Sequence, residues 1–419
     1  MIQRKEYLDN LIALKDKQVI KVITGVRRCG KSTLFELYIG HLKQTGVEDS
    51  QIISVNLEEL ENADLLDYKA LYNYIISKLV PDKNNYIFID EVQKCSEFEK
   101  AVDSLFIKKN CDVYITGSNA YLLSGELATL LSGRYIQIDM LPFSFKEYYG
   151  ATKESGKSKR EIFDVYLRYG SFPCVAYLEN DEKVINQYIE GIYNTILLKD
   201  VATREKINDV SVLENILKTV ASSIGSPIST KKISDTLISG GRKISPNTVE
   251  AYLRALTDSY ILYNATRYDI KGRQFLKTLG KYYFVDSGIR NHIISQSARD
   301  LGHLLENVVY LELLRRKNRV NIGKLAEKEV DFVAAGMNEV EYYQVSASVL
   351  DEKTLERELA PLKEIRDNYP KTLLTLDDIG NGANYEGIKQ INLLCQQPIN
   401  QIYLPYTFVI CTITNIIDG

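Results

Sequence analysis

The stretch VIKVITGVRRCGKSTLFELYI, residues 19–39, decides the fold of this chain. Its centre, Gly25 to Ser32, has the spacing G-x-x-x-x-G-K-S. In such a loop, successive backbone N–H groups wrap the phosphates of a nucleotide, and the glycines permit the turn and the close approach. Lys31 is then expected to reach the β- and γ-phosphates and the Ser32 hydroxyl to hold Mg²⁺, with Gly25, Gly30 and Thr33 completing the nucleotide cradle. The variable positions need supply only N–H groups, so Arg27, Arg28 and Cys29 are compatible with the loop and need not touch the nucleotide; whether the two arginines add phosphate or partner contacts is left open. The flanks agree. Val19 to Thr24 is largely β-branched and apolar, as a buried parallel strand should be. Leu34, Leu37, Tyr38 and Leu42 follow near helical spacing, and a helix N-terminus adds favourable partial charge for phosphate.

Further along, NNYIFIDEVQKC (residues 84–95) carries a mostly apolar run that ends in Asp90-Glu91. Open α/β sheets bind ligands at the C-terminal ends of their strands. Asp90 is expected to support Mg²⁺, and Glu91 to orient and activate an attacking water. The plain alternative is a buried strand ending in an ordinary acidic turn; the loop at 25–32 weighs against it. A third strand, CDVYITGSNAYLL, ends in Thr116-Gly117-Ser118-Asn119. Asn119, or else Ser118, is expected to help hold the lytic water; the plain alternative is a strand-end turn. In LLSGRYIQIDMLPFSFKEYY, Arg134 precedes another strand. It is read either as a finger on the γ-phosphate, in cis or from a neighbouring subunit, or as a salt-bridged surface arginine.

In this order GVRRCGKS, FIDEVQ, TGSNA, SGRY and LPFSFKEY resemble prokaryotic AAA-type ATPases related to archaeal ATPases, in which a C-terminal domain of unknown function follows the ATPase module. YGSFPCVA, YNTILLKDV, SPNTVEAYLRALTDSYIL, KYYFVDSGIRN and GHLLENVVYLEL fit the same family, so the resemblance spans residues 1 to about 395. It implies ATP as the nucleotide, since the loop itself reads only phosphates, and it implies hydrolysis.

The expected fold class is α/β: a P-loop NTPase (AAA-like) parallel-sheet domain over 1–140, a helical lid over 141–205, a winged helix over 206–285, and an α/β restriction-endonuclease-like domain over 286–395. Residues 396–419 form an atypical tail. In the winged helix, Ser229 and Ser245 are expected N-caps, Pro246 takes the first position of the recognition-type helix, and a hairpin turns at Lys271-Gly272. From Arg204 to Lys281 there are 13 basic and 7 acidic residues, a balance of +6; with a net charge of −3 the rest of the chain carries −9. Duplex DNA is therefore an expected partner, through Lys231, Lys232, Arg242, Lys243, Lys271 and Arg273, and docking of a protein is the alternative. In the last domain, Glu306, Asp331 and the pair Gln344/Ser346 follow a nuclease-like layout. The pair lacks the acid and lysine that would hold metal and activate water, so nuclease activity is not expected.

Composition narrows the classes. The six cysteines are scattered without a C-x-x-C pair, the chain opens MIQRKEYLDN without a secretion signal, and no apolar run approaches the roughly 20 residues of a membrane helix. A reduced, cytoplasmic protein with no membrane partner is expected. Three histidines leave little for a zinc site. The leading reading is a Mg²⁺-dependent ATPase switch that couples nucleotide state to the winged helix and C-terminal domain. The alternative is an ATP-regulated DNA-binding or DNA-processing protein. A small-molecule kinase fits Asp90-Glu91 less well. Oligomerisation is required if Arg134 acts in trans.

Overall fold

The computed structural model describes residues 2–394 except 121–130, 132, 179–180, 203–206, 208, 295–299, 317–318 and 337–338, and the side chains of 277 and 278. The tail 396–419 lies outside the described residues. The chain forms two compact units: Met1–Pro142 with Asn194–Lys206 and Ala255–Ile261, and Phe143–Tyr193 with Ile207–Arg254 and Leu262–Gly419.

The first unit holds five parallel strands: β1 (Ile20–Thr24), β2 (Ile52–Asn56), β3 (Asn85–Asp90), β4 (Cys111–Gly117) and β5 (Tyr135–Asp139), in the order β2-β3-β4-β1-β5. Every residue of β1 and β3 is buried, as expected for strands covered on both faces. The cover comes from α1 (Lys5–Ala13), α2 (Lys31–Gln44), α3 (Tyr68–Lys78) and α4 (Phe98–Phe106). Strand alternation sorts the contacts. Ile87, Ile89, Val113 and Ile115 share a core with Leu71 and Ile75 of α3 and with Val102 and Leu105 of α4. On the other face, Phe88 meets Phe35 of α2 at 5.1 Å and Tyr114 meets Tyr38 at 5.2 Å between ring centroids. Asp67 stops the chain before α3 and caps it, accepting from the Lys69 and Ala70 N–H groups.

One ion pair is sunk in this unit. The Lys21 ammonium, fully buried, donates to Asp112 and to the Lys17 carbonyl at 2.8 Å and lies over the Tyr114 ring. Burial pushes the Lys21 pKa down and that of Asp112 up. Removing one partner leaves the other charge without compensation in the core. Asp112→Ala is therefore expected to cost about 3–5 kcal/mol of stability, read as a lower midpoint in urea with an unchanged slope. Loss below about 1 kcal/mol would show that the pair is hydrated in solution.

The second unit opens with α5 (Phe145–Thr152) and α6 (Lys159–Tyr169), each started by a capping box, Ser144 with Glu147 and Ser158 with Glu161. Then follow α7 (Glu182–Thr195), α8 (Val210–Ser222), α9 (Thr230–Ser239) and α10 (Pro246–Asp258). The Ser229 hydroxyl accepts from Lys232 N–H and that of Ser245 from Thr248 N–H, both at 3.1 Å, so both N-caps are formed. The hairpin β6 (Leu262–Asp269) and β7 (Gln274–Phe284) turns at Lys271-Gly272, whose N–H groups bond the Asp269 carboxylate. After α11 (Ser287–Ile293) and α12 (Leu301–Arg316) come β8 (Arg319–Leu325), β9 (Lys328–Ala335), β10 (Val340–Val345), α13 (Glu352–Glu364), β11 (Lys371–Thr375), β12 (Asn384–Tyr385) and β13 (Ile388–Asn392).

The hairpin does not stand alone as a wing. Arg267 to Asp269 pair in parallel with Ile322 to Lys324 of β8, placing β6 and β7 at one edge of a mixed eight-stranded sheet, β12-β13-β11-β10-β9-β8-β6-β7. The expected division at 285/286 is thus bridged by one sheet.

Two motifs far apart in sequence, YGSFP and VDSGIRN, meet in this unit. The fully buried Asp286 carboxylate accepts from the Ser171 N–H and hydroxyl and from the Ile289 N–H. The glycines make the approach possible: a Cβ on Gly170 would lie 2.2 Å from Asp286 Oδ1, and one on Gly288 would lie 2.3 Å from the Tyr169 carbonyl oxygen. Gly288→Ala is expected to lower the melting temperature by several degrees, as overpacking costs about 1–3 kcal/mol. An unchanged melt would mean that this joint opens freely.

Candidate nucleotide site

The parallel order brings the strand tips to one edge. Thr24 is level with Gly117, Ile115 with Ile89, and Asn56 with Asp90. The loop after β1, the acids after β3 and the polar tip of β4 therefore share the ligand-binding edge of the sheet. The tip of β4 lies between the other two because β4 is hydrogen bonded to both β1 and β3.

The loop has the shape its glycines demand. Gly25 (φ 149°) and Gly30 (φ 104°) occupy backbone regions that side-chain-bearing residues avoid. A Cβ on Gly25 would lie 2.1 Å from the Met140 carbonyl oxygen. Lys31 opens α2 and is almost wholly buried. Its ammonium donates to the Gly25 and Val26 carbonyls at 3.1 and 3.3 Å and stands 3.7 Å from the Glu91 carboxylate. Ser32 is exposed and Thr33 half-exposed in the first turn.

The three variable residues behave differently from one another. Arg28, in the left-handed region, is exposed. Arg27 is held: its guanidinium bonds Asp200 at 3.1 Å and Glu58 at 2.9 Å. Cys29 turns inward. It is fully buried beneath the loop, its carbonyl accepts from Arg4 at 3.0 Å, and burial raises its thiol pKa. Its Sγ would lie 3.1 Å from a Cβ built on Gly25.

Asp90 and Glu91 are both buried. The Thr116 hydroxyl joins them, donating to the Asp90 carboxylate and accepting from Glu91 N–H at 3.0 Å. Glu91 is left-handed at φ 53°, a conformation that costs a non-glycine residue roughly 1–3 kcal/mol. The Thr116 bond helps to hold it there. Gln93 donates to the Glu91 carboxylate and, at 3.2 Å, to Ser118 Oγ. Ser118 is thereby tied to Glu91, and Asn119 is buried next to it. The site residues read from sequence at this edge come together: Gly25, Gly30, Lys31, Ser32, Thr33, Asp90, Glu91 and Asn119. Asp200, Glu58, Thr116 and Gln93 join them; Asp200, Thr116 and Gln93 stand in the quoted stretches YNTILLKDV, TGSNA and FIDEVQ, though their sequence context assigns them no role, and Glu58 carries no sequence signal.

Arg134 is the exception. Its carbonyl accepts from Ile20 N–H, at the start of β1 and β5, and its guanidinium pairs with Asp103 over the Phe106 ring. This is the opposite edge of the sheet from the loop, about five strand residues or roughly 16 Å away. The cis finger reading is corrected: Arg134 does not face the loop of its own chain.

The nuclease-like residues also converge, in the second unit. Glu306 of α12 accepts from Lys281 at 2.9 Å and from the Tyr283 hydroxyl at 2.6 Å. Asp331 accepts from Val345 N–H. Gln344 accepts from Asp331 N–H and donates to Glu358 at 2.9 Å. Ser346 donates to the Ser348 carbonyl. Burial and the Glu306 charge hold the Asp331 carboxyl well above its ordinary range. Among the described residues, no group of three or more His, Cys, Asp or Glu side chains is arranged to hold a metal. No described helix is long and apolar enough to cross a membrane.

The comparisons agree with this geometry. Residues 17–149 match the family model described as an AAA domain, and residues 160–300 match a domain of unknown function, DUF8612. An uncharacterized protein of Haemophilus influenzae is 40% identical over 378 residues, covering 90% of this chain and 93% of the relative. One of Methanocaldococcus jannaschii is 29% identical over 388 residues, covering 86% and 83%. Among solved structures, the Walker-type ATPase Paby2304 of Pyrococcus abyssi superposes with a TM-score of 0.51 at 16% identity, over 70% of this chain and 96% of that one. At that identity the likeness speaks for the fold. Strand order, loop and relatives lead to one assignment: the chain belongs to the AAA-domain family that it shares with the Haemophilus influenzae protein, with a P-loop NTPase-like sheet at its N-terminus and a domain of unknown function behind it.

Proposed function

We propose that this protein binds ATP at Gly25–Thr33 and hydrolyses it with Mg²⁺, acting as a molecular switch. The observation that carries the reading is the placement of Lys31 between the loop carbonyls and the Glu91 carboxylate. In that position its ammonium can exchange backbone partners for phosphate oxygens without leaving the site. Ser32 and Asp90 are oxygen donors of the kind Mg²⁺ takes, and the ion would neutralise charge on the phosphates. Glu91 accepts the proton of the attacking water, Gln93 fixes the carboxylate's direction, and Ser118 and Asn119 supply polar groups beside it. Lys31 and the loop N–H groups meet charge that develops on the transferred phosphoryl group.

Arg27 supplies the link to a switch. A bound phosphate competes with Asp200 and Glu58 for its guanidinium, so segment 196–202 is the part of the lid that responds to nucleotide. Arg134 lies half-exposed at the far edge, so a trans role requires a neighbouring subunit to take it from Asp103; a larger mass in solution with ATP than without it would support that role, and a monomer under both conditions would end it.

The alternative reading is an ATP-regulated DNA-binding protein. Three helices and a hairpin with Lys231, Lys232, Arg242, Lys243, Lys271 and Arg273 favour a winged helix on duplex DNA. Phosphate release measured with and without duplex DNA separates the readings: stimulation supports DNA coupling, and indifference supports a switch toward a protein partner. We read 286–395 as a nuclease-like scaffold without cleavage, since Lys281 occupies Glu306 and Gln344 bonds Glu358.

A further inference from the structure

The second unit contains a cavity of about 1190 Å³, larger than most small-molecule pockets, which span about 300–1,000 Å³. Its floor is one face of β6, β8, β9 and β10, with Tyr268, Asn321, Val333 and Tyr342 pointing into it; residues 363–369, at and after the end of α13, form one wall. α13 covers part of this sheet face: Leu359, Leu362 and Ile365 seal a core with Val330, Val333 and Leu373. The face toward β6 and β7 is left open.

Two features mark what this concavity takes. The first is charge. Five cationic side chains and two acidic ones line it. Lys363 and the acids Glu364 and Asp367 are engaged elsewhere, Lys363 with Glu386, Glu364 with Lys328, and Asp367 with the Tyr342 hydroxyl and Lys371. Arg273, Arg319 and Arg366 make no ion pair among the described residues. The second is aromatic surface. Phe275 is 56% exposed and Tyr369 45% exposed. Each leans on a ring of the floor, Phe275 on Tyr268 at 5.3 Å and Tyr369 on Tyr342 at 6.4 Å. Tyr342 is in turn anchored to Asp367 at 2.7 Å. The exposed rings are thus held in place before any ligand arrives, which lowers the entropic cost of binding.

Free cations interleaved with exposed, braced rings match single-stranded nucleic acid. Its phosphates pair with arginine and its unpaired bases stack on the rings, whereas a duplex hides its base faces. We propose that this cavity is a binding site for single-stranded nucleic acid, with Arg273, Arg319 and Arg366 on the phosphates and Phe275 and Tyr369 under the bases. The proposal does not rest on ATP binding.

The test uses the full chain and fluorescein-labelled single strands of about 15 nucleotides, oligo-dT and oligo-U, followed by anisotropy at several salt concentrations. Binding is expected for at least one of them, and the difference between them decides DNA against RNA. Arg273→Glu and Arg319→Glu are each expected to weaken it and to flatten the salt dependence by about 0.7, the value for one single-strand phosphate contact. Phe275→Ala and Tyr369→Ala are each expected to weaken it about 5- to 150-fold, the range for one stacked base. Thermal melts of every variant, with Tyr369→Ser as a second probe of the exposed ring, separate lost binding from lost fold. Absence of binding by the parent protein overturns the proposal. So does equal binding of a duplex together with aromatic variants that bind like the parent, which would mark a plain basic surface. Displacement by polyglutamate as readily as by the oligonucleotide would reassign the cavity to an acidic protein.

Discussion

Lys31→Ala is expected to abolish ATP binding at concentrations that saturate the parent protein. The Lys31 ammonium is buried, and it has three fixed neighbours, the Gly25 and Val26 carbonyls and the Glu91 carboxylate. In the ATP complex the phosphates take the place of the carbonyls. Truncating one partner of a buried, hydrogen-bonded charge pair costs about 2–5 kcal/mol of binding, a loss of roughly 30-fold to several thousand-fold. The substitution also leaves Glu91 without its cation beside incoming phosphate charge, which pushes the loss toward the upper end. Calorimetric titration reads it directly. Binding within threefold of the parent would remove Lys31 from the phosphate site. A melt of the apo variant guards against misreading, because Lys31 opens α2 and its loss must not be confused with loss of the helix.

Glu91→Gln is expected to separate binding from turnover. Gln keeps the size of the side chain and a hydrogen-bonding oxygen for Gln93, but it cannot take a proton from water. General-base contributions are about 10²–10⁴-fold, so phosphate release should fall by at least about 100-fold. Binding should hold or tighten, since the substitution removes a negative charge 3.7 Å from Lys31. Filter retention of labelled ATP after single-turnover mixing shows it: the variant keeps intact ATP, and the parent releases phosphate. Turnover at the parent's rate would displace Glu91 as the base and turn attention to Ser118 and Asn119.

How legible this was depended on the range of each interaction. The phosphate loop, Asp90-Glu91 and the strands around them were readable because their signals are local: apolar runs, glycine spacing, acids at a strand end. The Ser229 and Ser245 caps and the Lys271-Gly272 turn were readable for the same reason. Asp200 was not, because its ion pair with Arg27 spans 173 positions and an aspartate in ILLKDV looks like any surface acid. The left-handed Glu91 was hidden too, since nothing local marks a glutamate for that conformation and Thr116, which helps hold it, comes from another strand. The direction of Cys29 was not readable, because a loop that needs only backbone N–H groups leaves its side chains undetermined. For Arg134 the cis finger reading fails and the salt-bridged alternative matches its pair with Asp103; strand direction gives the reason. In a parallel sheet, a residue just before a strand lies at the edge away from the phosphate loop. The hairpin was visible as a hairpin, but its pairing with β8, some 55 positions on in sequence, was not. That pairing opens the basic, ring-lined cavity onto a sheet face.

The most direct test of the account is steady-state phosphate release from ATP by the purified full chain, with Mg²⁺ and again with excess EDTA. Release above the protein-free blank that stops when the metal is removed is the expected result. No release under either condition, together with no ATP binding by calorimetry, would contradict the claim that Gly25–Thr33 and Asp90-Glu91 form a working ATPase site.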